Sequence, residues 1–211
     1  MKIKTNIVVE FILLFLLLPI SLSLPLLIGV KIFIVVLGFS YLLYVLKGLG
    51  VLKFQINKGL HWFLFLKRIL ATFLGIGVLT SLYVWFVQPA ALFYVPLNNP
   101  AFFVLILGVY SVFSVWPQEV IYRTFFFERY AVLFQNKRVL VFVNAIVFSL
   151  AHLFLKNTLV LILTFFGGLI FGMTYLRFKS TTMVTIEHAI YGNWLFTVGM
   201  GQMLAFPGMD V

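Results

Sequence analysis

Residues 101–123 read AFFVLILGVYSVFSVWPQEVIYR. The first half of this stretch carries no charge, and an apolar run of such length needs lipid rather than water as its solvent. Gln118, Glu119 and Arg123 then arrive inside the same run, with Glu119 and Arg123 one helical turn apart. A charge at the bilayer centre costs at least about 2.5–3.5 kcal/mol. Three polar groups placed there call for partners or for a task.

The whole chain has the same character. Its 211 residues are 64% hydrophobic and 9% charged, with a mean hydropathy of +1.16. A soluble domain carries roughly a quarter charged residues, so this composition implies an all-α polytopic transmembrane helical bundle. Long unbroken apolar runs, rather than alternation of period two, argue against a membrane β-barrel. There is no Cys, hence no disulfide, no Cys-based zinc site and no thiol nucleophile, and the redox state of the compartment is not legible. The net charge of +10 sits at segment ends, where it orients helices in a membrane and does not mark a nucleic-acid surface.

Segments of roughly 20 apolar residues predict about seven helices. They run from about 7 to 24, 32 to 46, 69 to 87, from near 101, 139 to 155, 159 to 176, and 183 to 204. HWFLFLKR, residues 61–68, reads as an interfacial amphipathic piece. Lys2 and Lys4, the basic stretch 47–68, the stretch 123–138, and Arg177 with Lys179 all fall on one side if the helices alternate. This places the N-terminus inside and the C-terminus outside. SLSLP could pass for a signal-peptide cleavage region, but Glu10 interrupts a long apolar run, which favours a retained span. No internal repeat is visible. The expectation is one membrane domain over 1–211, with N-terminal spans in 1–99 and a core in 100–205. Short loops point to a bacterial inner membrane.

The clearest turn between Ala101 and Leu155 is QNKR, residues 135–138. Glu119 lies 16 residues before it and His152 lies 14 after it. At about 1.5 Å per residue both stand about 21–24 Å above the turn. A helical hairpin therefore sets a carboxylate opposite an imidazole. His188 reaches the same level if the 135–138 tip projects about 9 Å beyond the lipid. Each residue also has a plain structural reading. Glu119 and Arg123 form a favourable i,i+4 ion pair that can serve as a brace. His152 can make an interhelical hydrogen bond, and Glu187–His188 can be an interfacial polar pair. Glu10 reads as a solvated or helix-pairing residue, and Gly168 with Gly172 as a close-packing GxxxG.

Taken in order, these residues resemble the CPBP family of intramembrane proteases, which includes CAAX prenyl endopeptidases and bacteriocin-immunity (Abi) proteins. The family's Glu-Glu-x-x-x-Arg is similar to Gln118-Glu119-Val-Ile-Tyr-Arg123 here, and its Phe-x-x-x-His to Phe148-Ser-Leu-Ala-His152. His188-Ala-Ile-Tyr-Gly-Asn193 resembles the third motif, and FFGGLIFGMTYLR resembles the family's glycine-bearing helix. The resemblance covers about 100–200. It implies that a Glu and His152 activate water against a peptide carbonyl, with His188 and Asn193 stabilising the oxyanion and no metal. Arg123 would hold the Glu in place. The substrate implied is a membrane-embedded or lipid-modified peptide.

Two departures matter. Gln118 stands where the family has the Glu usually assigned to catalysis, and a carboxamide cannot take a proton from water. Asn193 falls five residues after His188 rather than four. Glu119 serves as base, or else the protein is a catalytically silent relative that binds a membrane peptide or partner. A transporter with a Glu/His proton relay would show broken-helix pairs and repeat symmetry, which are not visible. Two His and one Glu would suit zinc, but there is no HExxH helix.

Overall fold

In lipid no water satisfies the backbone, so an apolar segment must close its hydrogen bonds within itself. In the computed structural model, which describes residues 2–51 and 61–204 with side chains from residue 6 onward, the apolar runs are helices and no strand occurs among the described residues. Among the described residues, six helices are long and apolar enough to cross a membrane: α1 (Asn6–Ser23), α2 (Ile28–Gly48), α3 (Trp62–Val87), α4 (Pro100–Leu133), α5 (Lys137–Leu155) and α6 (Thr158–Phe178). The seventh expected segment is the helix α7 (Thr181–Val198). It carries Glu187, His188 and Asn193 and is not among the six. The chain is an integral membrane protein, an all-α polytopic bundle. Phe63, Phe86 and Phe113 on these helices are exposed, which suits an apolar solvent.

Boundaries differ from expectation where local chemistry decides them. HWFLFLKR and the span from 69 form one helix, because α3 already begins at Trp62 and no helix breaker separates Arg68 from Ile69. Lys53 and Lys58 of the basic stretch lie outside the described residues, as do the side chains of Lys2 and Lys4. Asn136 caps α5 by accepting from the Arg138 N–H at 2.8 Å, and Asn157 caps α6 by accepting from Val160 N–H at 3.2 Å. In α5 the α-helical turns end at Leu150, and a 3₁₀ turn, Leu153–Leu155, comes after His152. α7 stops before Gly199, whose φ of +105° suits glycine. A Cβ at that position would stand 2.1 Å from the Ala91 carbonyl oxygen.

The chain forms two compact units, each assembled from two stretches: Met1–Gln55 with Gln118–Thr181, and Ile56–Pro117 with Thr182–Val211. The first contains α1, α2, the second part of α4, α5 and α6. Here α5 and α6 approach closely because Gly168 and Gly172 present no side chain. A Cβ on Gly168 would lie 2.7 Å from the Ala145 Cα, and one on Gly172 3.2 Å from Val141 Cγ1. The GxxxG is thus a packing device. Glu10 proves to be helix-pairing. It accepts from Arg129 Nε at 2.9 Å and Nη2 at 2.8 Å, from Tyr130 Oη at 3.0 Å and from Tyr41 Oη at 2.7 Å. One turn further along α1, Phe15 packs edge-on against Tyr122, Phe126 and Tyr130.

The second unit contains α3, the first part of α4, α7 and the residues around a short helix, Tyr94–Asn98. Its core gathers Val95, Ile106, Tyr110, Val115 and Phe196, all buried. Trp194 on α7 packs edge-on against Phe73 of α3 at 5.3 Å between ring centres. Its indole N–H donates to Thr80 Oγ1 at 2.8 Å, so the ring is fixed from two directions.

Replacing Gly168 by Val drives a branched side chain into the Ala145 backbone. Overpacking of this kind is expected to lower unfolding stability by about 1–3 kcal/mol, read by denaturant titration in micelles. The same change at Gly75 of α3, which has open space around it, should cost clearly less.

Candidate active site

The polar residues of α4 lie where the helix departs from regular α geometry. Pro117 has no N–H, so the carbonyl one turn back loses its usual partner. π-Helical stretches, Tyr110–Val115 and Val120–Phe125, flank the α-helical segment Trp116–Glu119. Such widened turns insert a residue into the helix and re-aim the side chains beyond them.

In the first unit Glu119 and Arg123 are both completely buried. Arg123 Nε lies 3.2 Å from Glu119 Oε2. The guanidinium uses its other edges as well. Nη1 donates to Asn144 Oδ1 at 3.3 Å, and its face lies over the Phe148 ring at 4.5 Å and the Phe171 ring at 5.5 Å. Cation–π contact of this kind strengthens when water is excluded. Asn144 in turn donates from Nδ2 to the Tyr122 carbonyl at 2.7 Å, which ties α5 to the backbone of α4.

Phe148 makes three contacts with Arg123 and His152, and they explain the spacing of Phe-x-x-x-His. Its ring receives Arg123, the same ring meets His152 edge-on at 5.0 Å, and its carbonyl accepts from His152 Nδ1 at 2.8 Å. A separation of four residues brings a side chain back over the carbonyl one turn earlier. Since a carbonyl can only accept, Nδ1 carries a proton, which makes Nε2 the acceptor nitrogen when the ring is neutral. His152 is half-buried.

Tyr122 and Arg123 of α4 meet Asn144 and Phe148 of α5. These contacts pair α4 with α5 around Arg123 and Phe148. Gln118 is half-buried on the same α-helical segment, about 100° around the helix from Glu119.

The second unit holds the third motif. His188 is buried and its Nε2 lies 3.3 Å from Tyr110 Oη, with the two rings edge-on at 6.3 Å. Ser111 donates to the Leu107 carbonyl at 2.7 Å, so its oxygen accepts from Asn193 Nδ2 at 3.1 Å. Gly192 makes room for this arrangement, because a Cβ there would stand 2.1 Å from Tyr110 Oη. Glu187 precedes His188 on α7. It is completely buried, well inside α7, and accepts from Tyr191 Oη at 3.1 Å.

Sequence reading missed Asn144, Tyr110, Ser111 and Tyr191. A signal existed for Asn144, a lone amide within an apolar span, two turns before His152 and on the same face. None existed for Tyr110 and Ser111, which read as ordinary members of an apolar run.

Residues 100–195 match the family model described as Rce1-like, type II CAAX prenyl endopeptidase. The matched stretch contains Gln118–Arg123, Phe148–His152 and His188–Asn193, and over it the resemblance carried by these motifs holds. No curated protein and no solved structure matches the chain.

Replacing Arg123 by Leu leaves Glu119 buried without its cation. The expected loss of unfolding stability is about 3–5 kcal/mol, because breaking one side of a buried pair exposes the other's full desolvation cost. Replacing Glu119 and Arg123 together by Leu should recover most of that loss in the same micellar titration.

Proposed function

We propose that this chain is an intramembrane endopeptidase of the CAAX-protease type, in which Glu119 and His152 activate a water and His188 and Asn193 stabilise the oxyanion. The observation that carries this reading is the continuous set of contacts from Glu119 through Arg123 and Phe148 to His152. Two motifs far apart in sequence become one supported pair of groups. In the proposed reaction the water oxygen bonds to the peptide carbonyl carbon, and Glu119 takes the water's proton. His152 holds the water through Nε2, the nitrogen that its bond to Phe148 leaves as acceptor. The tetrahedral intermediate places negative charge on the former carbonyl oxygen. Donors fixed in a dry site are worth about 10²–10³ each in kcat. Collapse breaks the C–N bond, and the proton on Glu119 passes to the leaving nitrogen. No metal takes part.

The substrate class is a membrane-embedded or lipid-modified peptide, cut at the inner half of the membrane. Loop charge supports an orientation with the N-terminus inside and the C-terminus outside.

Gln118 favours a second reading, a catalytically silent relative that binds such a peptide without cutting it. The two are separated in proteoliposomes presenting a library of membrane peptides, with and without a prenylated Cys. On the proteolytic reading Glu119→Ala and His152→Ala each lower kcat/KM at least about 10²-fold, and Gln118→Glu is tolerated. Activity untouched by Glu119→Ala would sink the assignment. Cleavage that appears only on Gln118→Glu would establish the silent relative. Chelator-sensitive cleavage with stoichiometric zinc would replace the metal-free scheme.

A further inference from the structure

Tyr110 and Ser111 are consecutive on the π-helical stretch of α4, and each meets one side chain of the third motif. Both lie outside the motif residues. Tyr110 Oη is 3.3 Å from His188 Nε2, and Ser111 Oγ accepts from Asn193 Nδ2 at 3.1 Å. The phenol is closely held. Its ring packs edge-on against Phe196 at 4.9 Å, and a Cβ on Gly192 would fall 2.5 Å from its Cζ and Cε1.

The direction of the Tyr110–His188 bond comes from the chemistry of the two groups. A phenol O–H is a far stronger acid than a neutral imidazole N–H, and the imidazole's bare nitrogen is the better acceptor. The phenol therefore donates, and Nε2 accepts. The tautomer of a histidine is set by the bond its other nitrogen makes, so the ring proton of His188 resides on Nδ1. We propose that Tyr110 is a positioning residue that fixes His188 as an Nδ1–H donor for the oxyanion, with Ser111 orienting the Asn193 amide beside it. This inference rests on the oxyanion role proposed for His188. Motif three then depends on two side chains of α4 to present its N–H groups.

The test replaces Tyr110 by Phe, which keeps the ring packing and removes only the hydroxyl. The protein contains three histidines, so ¹⁵N-histidine spectra in micelles are tractable, with the His188 signals assigned by their loss in His188→Gln. The wild type should show His188 protonated at Nδ1, and Tyr110→Phe should move it towards the Nε2–H form. His152, held by the Phe148 carbonyl, should not move. In the cleavage assay Tyr110→Phe should lower kcat about tenfold with KM unchanged, a part of the cost of losing an oxyanion donor outright. Gly192→Ala, which displaces the phenol without removing it, should give the same spectral shift and serves if Tyr110→Phe does not fold. A wild-type His188 protonated at Nε2, or a spectrum that neither variant changes, overturns the proposal. So does a tautomer shift with unchanged kcat. If no peptide is cut at all, the proteolytic reading fails, and the spectra still decide whether Tyr110 sets the tautomer.

Discussion

A guanidinium away from water must find a partner for every face and edge inside the protein. Arg123 has Glu119 at one edge, Asn144 at another, and the rings of Phe148 and Phe171 against its plane. Each partner comes from a helix that the charge thereby fixes: α4 itself, α5 twice, and α6. Packing in lipid gains nothing from hydrophobic exclusion between helices, so a directional, fully buried charge contributes specificity that apolar contact does not. The close approach of α5 and α6 at Gly168 and Gly172 belongs to the same arrangement, since Phe148 and Phe171 lie on those two helices.

The brace and the reacting groups share atoms. Phe148 holds Arg123 with its ring and orients His152 with its carbonyl, so packing in the first unit and the tautomer of His152 have one origin. The second unit shows the same economy. Tyr110 belongs to the apolar core with Val95, Ile106 and Phe196 while its hydroxyl meets His188. In both units an aromatic residue of the core sets the orientation of a histidine. A mutation in the core is therefore also a perturbation of the chemistry.

The N-terminal spans lie outside the matched family region, yet they are tied to it. Glu10 of α1 binds Arg129 and Tyr130 of α4 and Tyr41 of α2. Phe15 comes one turn later among the rings of Tyr122, Phe126 and Tyr130. An acid inside an apolar span is tolerated because four donor groups meet it. These helices support the segment of α4 that carries Glu119 and Arg123.

The order of residues along the chain is enough to settle the solvent, the secondary structure and the pairing within single helices. Apolar length sets the spans. Four-residue spacing brings Glu119 to Arg123 and His152 to the Phe148 carbonyl, because both are consequences of 3.6 residues per turn. Which side chain from another helix stands opposite is a matter for the folded bundle alone. Asn144 on Arg123, Tyr110 on His188, Ser111 on Asn193 and the four donors around Glu10 depend on the rotation and crossing of helices. The π-helical turns around Pro117 alter that rotation by whole residues, and periodicity along one helix carries no information about it. Gly192 is the plainest case: its lack of a side chain means nothing along α7 until the Tyr110 hydroxyl occupies the space.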